Sequence, residues 1–229
     1  MSQHGLRHVG SSALALLLAL FAAHASAQLA PSADRWEAEI GQFETADVAH
    51  PPKPDGIVFV GSSSIRLWTT LAGDFPNRNT LNRGFGGSKI ADSTRYAQRI
   101  VTNYRPRLVV LYAGDNDIAE GASAAQVLVD FRDFVAAVRK DMPQRPIVFI
   151  SIKPSPSRAS LMPTMRAANA LVSDYARTQK NITYVDVFAP MLDSSGQPRA
   201  ELFIADGLHM NRAGYALWAS ILAPRLEQK

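Results

Sequence analysis

Four short apolar runs punctuate the chain: Ile57 to Val60 (IVFV), Arg107 to Ala113 (RLVVLYA), Ile147 to Ile152 (IVFISI) and Ile182 to Val187 (ITYVDV), with a weaker one at Thr80 to Gly84. Runs of this length without polar alternation read as strands buried on both faces, so five strands are expected. Helical patterns lie between and around them. Trp36, Ile40 and Phe43 are helically spaced within Ser32 to Phe43, and His50-Pro51-Pro52-Lys53-Pro54 ends that stretch. Ile90, Ala97, Val101 and Tyr104 share a face behind a Ser88 cap, and Ser123 with Gln126 forms a capping box before Val127, Phe131, Phe134 and Val138. Met165, Ala168, Leu171, Val172 and Tyr175 follow Pro163, which suits a first helical turn, and Leu217 and Ile221 follow Asn211. Strand and helix alternating in this way predict one α/β domain whose parallel sheet is covered on both faces.

The N-terminus reads differently. Arg7, His4 and His8 precede an apolar run from Ala13 to Ala23, which closes on Ala25-Ser26-Ala27. This is the pattern of a secretory signal peptide, and the run is shorter than the roughly 20 residues a membrane span needs. Residues 1–27 are therefore expected to be removed near Ala27, leaving residues 28–229 as a single domain in a periplasmic or extracellular space. Cleavage removes Arg7 and no acid, so the formal charge falls from +4 to +3. The basic residues are interleaved with acids, which speaks against nucleic-acid binding, and stable membrane insertion is not expected either. Oligomeric state leaves no trace in the sequence.

Composition narrows the chemistry. Zero cysteines exclude disulfides, thiolate metal sites and a cysteine nucleophile. Without His4, His8 and His24, any histidine-dependent mechanism must use His50 or His209.

In an open parallel sheet, function gathers at the carboxyl ends of the strands. Here those ends run into Gly61-Ser62-Ser63-Ser64, Gly84-Phe85-Gly86-Gly87-Ser88 and Gly114-Asp115-Asn116-Asp117, while Asp206-Gly207-Leu208-His209 precedes the last helix. A serine nucleophile needs a base, a group that orients the base, and donors for the developing oxyanion. Asp206 and His209, three residues apart, can supply orienter and base, and the amides of Ser63 and Gly87 with the Asn116 side chain can supply three donors. The stretch from Gly84 to Lys89 lacks the spacing of a phosphate loop, and Asp115 and Asp117 lack that of a calcium loop, so Asp117 reads as a loop or cap residue.

Taken together, the blocks from Gly61 to about Leu222 resemble the SGNH hydrolase superfamily, the GDSL-type esterases and lipases. Gly61-Ser62-Ser63 stands where that family has G-D-S, Gly114-Asp115-Asn116-Asp117 matches its G-x-N-D block, and Asp206 to His209 matches D-x-x-H. The resemblance implies a catalytic triad of Ser63, Asp206 and His209 and an oxyanion hole of Ser63, Gly87 and Asn116. Gly86 is the alternative to Gly87. It also implies a flavodoxin-like three-layer α/β/α sandwich with a central five-stranded parallel sheet. In style the chain is similar to the branch of lysophospholipase-like and platelet-activating-factor acetylhydrolase-like enzymes. One departure stands out: Ser62 replaces the family's aspartate, giving three consecutive serines, of which Ser63 aligns as nucleophile.

These readings predict an exported serine carboxylester hydrolase acting on short acyl esters, acetyl above all, of small molecules or glycans, with no metal or organic cofactor. The domain is small, and the connections near the site contain no long apolar insertion that could form a lipid-binding lid. A lysophospholipase or thioesterase, an acyltransferase, and a catalytically silent carbohydrate-binding or interaction module are the alternatives. His50 reads as a loop residue, and Trp68, Phe85 and Trp218 as core aromatics, Phe85 lying near enough to Gly87 to line a pocket. Lys153-Pro154-Ser155-Pro156-Ser157-Arg158 reads as a solvated loop, with contact to an anionic or carbohydrate leaving group as the alternative.

Overall fold

Apolar runs on the chain become five parallel strands in the computed structural model, which describes residues 35–226 and Met1. The signal-peptide reading lies outside the described residues. The strands are β1 (Ile57–Gly61), β2 (Thr80–Gly84), β3 (Leu108–Tyr112), β4 (Ile147–Ile150) and β5 (Ile182–Val185), in the order β2-β1-β3-β4-β5. All neighbours pair in parallel, Ile57 standing opposite both Thr80 and Leu108.

Side chains alternate across the sheet and divide the core in two. Val58, Val60, Val109, Leu111, Ile147 and Phe149 face α1 (Glu37–Ala49), α4 (Ile90–Arg95), α5 (Ala97–Ile100), α7 (Ala124–Asp141) and α8 (Met162–Thr178). Ile57, Phe59, Leu108, Val110, Val148 and Ile150 face α2 (Ser63–Arg66), α3 (Leu71–Asp74) and α9 (Arg212–Leu222). From β1 the chain steps one way to β2, and afterwards always the other way. Crossovers of constant hand then place the intervening helices on opposite faces. The result is a three-layer α/β/α sandwich, and the described residues from Trp36 onward form one compact unit. No described helix is long and apolar enough to cross a membrane.

The reversal of strand order leaves a crevice between the carboxyl ends of β1 and β3, where ligands bind in open sheets. Two glycines shape it. Gly61 has a φ of 135°, and a Cβ there would lie 1.8 Å from the Tyr112 carbonyl oxygen. At Gly84 a Cβ would come within 2.2 Å of the Arg66 nitrogen, so α2 lies directly on the end of β2.

Several local expectations change in the fold. The helix predicted behind Ser88 breaks at Tyr96 into α4 and α5, with a 3₁₀ turn at Thr102–Tyr104. Ser88 is not its cap, because its hydroxyl donates to the Phe85 carbonyl. Lys89 is the cap, its N–H donating to Asp92 Oδ2, while Asp117 Oδ1 accepts from the Ile90 N–H. The Ser123 box is half formed: Ser123 Oγ accepts from the Gln126 N–H, but the Gln126 side chain turns to Asp130. Asn211 does cap α9, accepting from the Ala213 and Gly214 amides. Trp68, Phe85 and Trp218 are core residues, and Phe85 is wholly buried between Trp36 and Tyr96 rather than lining a pocket.

Candidate active site

The sharp turn at Gly61 delivers Ser63 as the first residue of α2. This helix is a single turn, closed by the Ser62 carbonyl, which accepts from the Ile65 and Arg66 amides. Ser63 Oγ lies 3.0 Å from His209 Nε2. His209 Nδ1 lies 2.6 Å from Asp206 Oδ2. The other oxygen, Asp206 Oδ1, accepts from the Leu208 and His209 amides at 2.8 and 2.9 Å, an Asx turn that sets the three-residue spacing. Burial pushes the Asp206 carboxyl up, but the bonds from the His209 ring and from these two amides outweigh it and hold the group down at about 2. An ionised carboxylate on Nδ1 fixes that nitrogen as the protonated one and leaves Nε2 to accept the Ser63 hydroxyl proton.

Of the three consecutive serines, only Ser63 reaches the imidazole among the described contacts. Ser62 is fully buried with an unpartnered hydroxyl, and Ser64 is buried beneath α9, its carbonyl accepting from the Tyr215 hydroxyl. His50 is exposed at the end of α1, and its N–H donates to the Ala46 carbonyl.

The remaining sequence candidates lie around this serine at the adjoining strand ends. Ser63 follows β1, Gly87 lies in the turn after β2, and Asn116 is in α6 (Asp115–Ala119), directly after β3. Among the described residues, the backbone N–H groups of Ser63 and Gly87 have no hydrogen-bond partner. Asn116 Nδ2 donates to the Ser88 carbonyl at 3.0 Å, which ties the β2 and β3 turns together and leaves its second hydrogen free to donate.

Beneath Asn116 lies a charged cluster that the sequence reading missed. Lys153, read as solvated, is only 1% exposed, and its Nζ stands 3.4 Å from Asp115 Oδ2. Burial pushes the Lys153 ammonium down, against the pull of Asp115. Arg158 is also turned inward: Nη1 lies 3.1 Å from the same Asp115 oxygen, and Nη2 donates to Asn116 Oδ1 at 2.9 Å. Two cations in one post-strand loop were the available signal, but their inward direction depends on Asp115, which lies thirty-eight positions before Lys153. The same loop is stitched to the histidine loop by the Ser157 N–H, which donates to the Gly207 carbonyl at 3.0 Å. Among the described residues, no group of three His, Cys, Asp or Glu is arranged to hold a metal ion.

A sequence model of the family described as GDSL-like Lipase/Acylhydrolase matches residues 56–217. No curated protein matches the chain significantly. Solved structures share the fold at low identity. A Streptococcus pneumonia protein provisionally described as a platelet activating factor superposes with a TM-score of 0.74 at 20% identity, covering 94% of this chain and all of that one. A GDSL-like lipase from Bacteroides thetaiotaomicron gives 0.71 at 21% identity, covering 83% of this chain and 98% of its own. A carbohydrate esterase family 3 protein from Talaromyces cellulolyticus gives 0.58 at 18% identity, covering 75% and 96% respectively.

Proposed function

The chain belongs to the GDSL-like lipase/acylhydrolase family and is an ester hydrolase of the SGNH type; from that premise we propose that it is an exported esterase removing short acyl groups, acetyl foremost, through an acyl-serine at Ser63. The carrying observation is the continuous line from Ser63 Oγ through His209 to Asp206, at 3.0 and 2.6 Å.

In the first half-reaction the Ser63 oxygen attacks the ester carbonyl carbon as its proton passes to His209 Nε2. The carbonyl oxygen takes up the electron pair and is met by the Ser63 and Gly87 amides and Asn116 Nδ2. When the tetrahedral intermediate collapses, the C–O bond to the alcohol breaks and His209 returns the proton to the leaving oxygen. Water then attacks the acyl-serine with His209 again as base, releasing the acid and restoring the Ser63 hydroxyl. Asp206 stays ionised throughout and stabilises the transient imidazolium.

The acyl preference is supported by the short turns around the serine, 85–89 after β2 and 113–114 after β3, which offer no lid for a long chain. The fold shared with a carbohydrate esterase makes an acetylated glycan a sensible member of the substrate panel. Export rests on residues 1–27, with residues 28–229 as the single hydrolase domain.

The test is a series of p-nitrophenyl esters of increasing chain length, with an acetylated glycan beside it, on the intact protein and Ser63→Ala. Turnover should be greatest for acetate and lost in Ser63→Ala, while Ser62→Ala and Ser64→Ala stay active. Turnover that climbs with chain length would replace the acetyl reading with a lysophospholipase-like one. An active Ser63→Ala would remove the mechanism altogether.

A further inference from the structure

Asn116 can serve an oxyanion only if its amide faces the right way, and a side-chain amide turned by 180° occupies the same space. Its two neighbours decide the matter. A guanidinium can only donate and a backbone carbonyl can only accept. Arg158 Nη2 at 2.9 Å therefore requires oxygen on its side, and the Ser88 carbonyl at 3.0 Å requires nitrogen on the other. Turned over, the amide would set donor against donor and acceptor against acceptor. Of the two Nδ2 hydrogens, one is held by Ser88 and the second is left for the reacting oxygen.

We propose that Arg158 is a positioning residue of the oxyanion hole: anchored on Asp115, its guanidinium fixes the Asn116 amide and strengthens the N–H that meets the developing negative charge. The proposal rests on the reading of Asn116 as an oxyanion donor and goes a step behind it. Arg158 spans two consecutive residues with one planar fork, Nη1 to Asp115 and Nη2 to Asn116. A lysine in its place could keep the charge on Asp115 but not both contacts. A cation on the amide oxygen also draws electron density from the nitrogen, making its remaining N–H a better donor. Asp115 meets this cation and Lys153 on the same oxygen, Oδ2, so the carboxylate that anchors Arg158 is itself held from a second side.

The experiment is a double-mutant cycle on p-nitrophenyl acetate: the unmodified protein, Arg158→Lys, Asn116→Ala and the pair, each with kcat, KM and melting temperature. Misplacing a group by a fraction of an ångström to an ångström costs up to about a hundredfold in rate. Arg158→Lys should thus lower kcat about tenfold to a hundredfold and leave KM nearly unchanged. In the Asn116→Ala background the same change should cost less than about threefold, because the group it positions is gone. An equal loss in both backgrounds would overturn the proposal and leave Arg158 as a support of the fold. If Asn116→Ala alone has normal kcat, the oxyanion reading of Asn116 fails first, and this inference falls with it. Should Arg158→Lys not fold, Arg158→Ala supplies the same decision through rescue. Added ethylguanidinium, but not ethylammonium, should restore kcat when Asn116 is present and have no effect on Arg158→Ala/Asn116→Ala. Rescue in both backgrounds would count against the proposal.

Discussion

Asp117→Asn should make the protein's stability less sensitive to alkali. Asp117 is 2% exposed; Oδ1 accepts from the Ile90 N–H at 3.1 Å, and Oδ2 is buried without a partner. Burial is the main force on this carboxyl. Amide bonds from Ile90 and from its own backbone oppose it, the charges of Asp115 and Asp130 assist it, and the group ends raised from the usual 3.8 to about 6. The folded protein therefore holds the Asp117 proton more tightly than the unfolded chain does. Its contribution to stability is complete below about 3.8 and is lost as pH rises through about 6. A difference of roughly 2 units corresponds to about 3 kcal/mol, of which roughly one is already lost by about pH 4.5. About 2 kcal/mol remains to be lost between about pH 4.5 and 7.5. For a domain of this size that is a shift of about 4 to 8 °C in melting temperature. Asparagine keeps an acceptor for Ile90 and cannot ionise. The assay is a pair of melting curves at each pH, because groups such as Asp206 titrate alike in both proteins and cancel in the difference. The melting temperature of Asp117→Asn, relative to that of the unmodified protein, should climb by this amount over the interval. A gap that stays level with pH would refute the reasoning and show that Asp117 ionises as an ordinary carboxyl.

Gly84→Ala should cripple turnover and cost about 1 to 3 kcal/mol of stability, since its Cβ would lie 2.2 Å from the Arg66 nitrogen and push away the helix that begins with Ser63; normal kcat in the folded variant would contradict this. His209→Ala should lower kcat by about six orders of magnitude at unchanged fold, whereas exposed His50→Ala should be silent, as kcat per folded molecule will show. Because Asp206 is held at about 2, protonation of the triad carboxylate should add no step to the acid limb of kcat/KM above about pH 3; in Asp117→Asn, a limb needing two protons in that range would show Asp206 protonating as well. Prolonged dialysis against EDTA should leave the rate unchanged, and loss that zinc or manganese restores would overturn the serine mechanism.

The strands were legible because each is a nearly pure apolar run, and a residue buried on both faces of a sheet has no room for polar alternation. The three strand-end blocks and the D-x-x-H block were also legible, since each is local in sequence. What gathers them is not local. Ser88 looks like a cap from its neighbours alone, yet its hydroxyl turns back to Phe85 and the Ile90 amide is taken by Asp117, twenty-seven positions away. The predicted single helix breaks at Tyr96, whose ring packs edge-on against Phe85, a contact that no period within the segment reports. Lys153 was misread for a related reason. A lysine after a strand is usually solvated, and Asp115 from the neighbouring turn helps make the burial of this one tolerable.

The nucleophile and its base stand 146 positions apart along the chain. The loop carrying His209 leaves the far edge of the sheet at β5 and must pass the ends of β4 and β3 to reach Ser63. A nascent polypeptide thus carries its serine long before it has a base, and stays inert towards the esters around it until its last strand and the loop beyond have docked. Hydrolytic activity consequently appears late and all at once. In a refolding mixture, turnover reports those molecules whose two distant segments have already found each other.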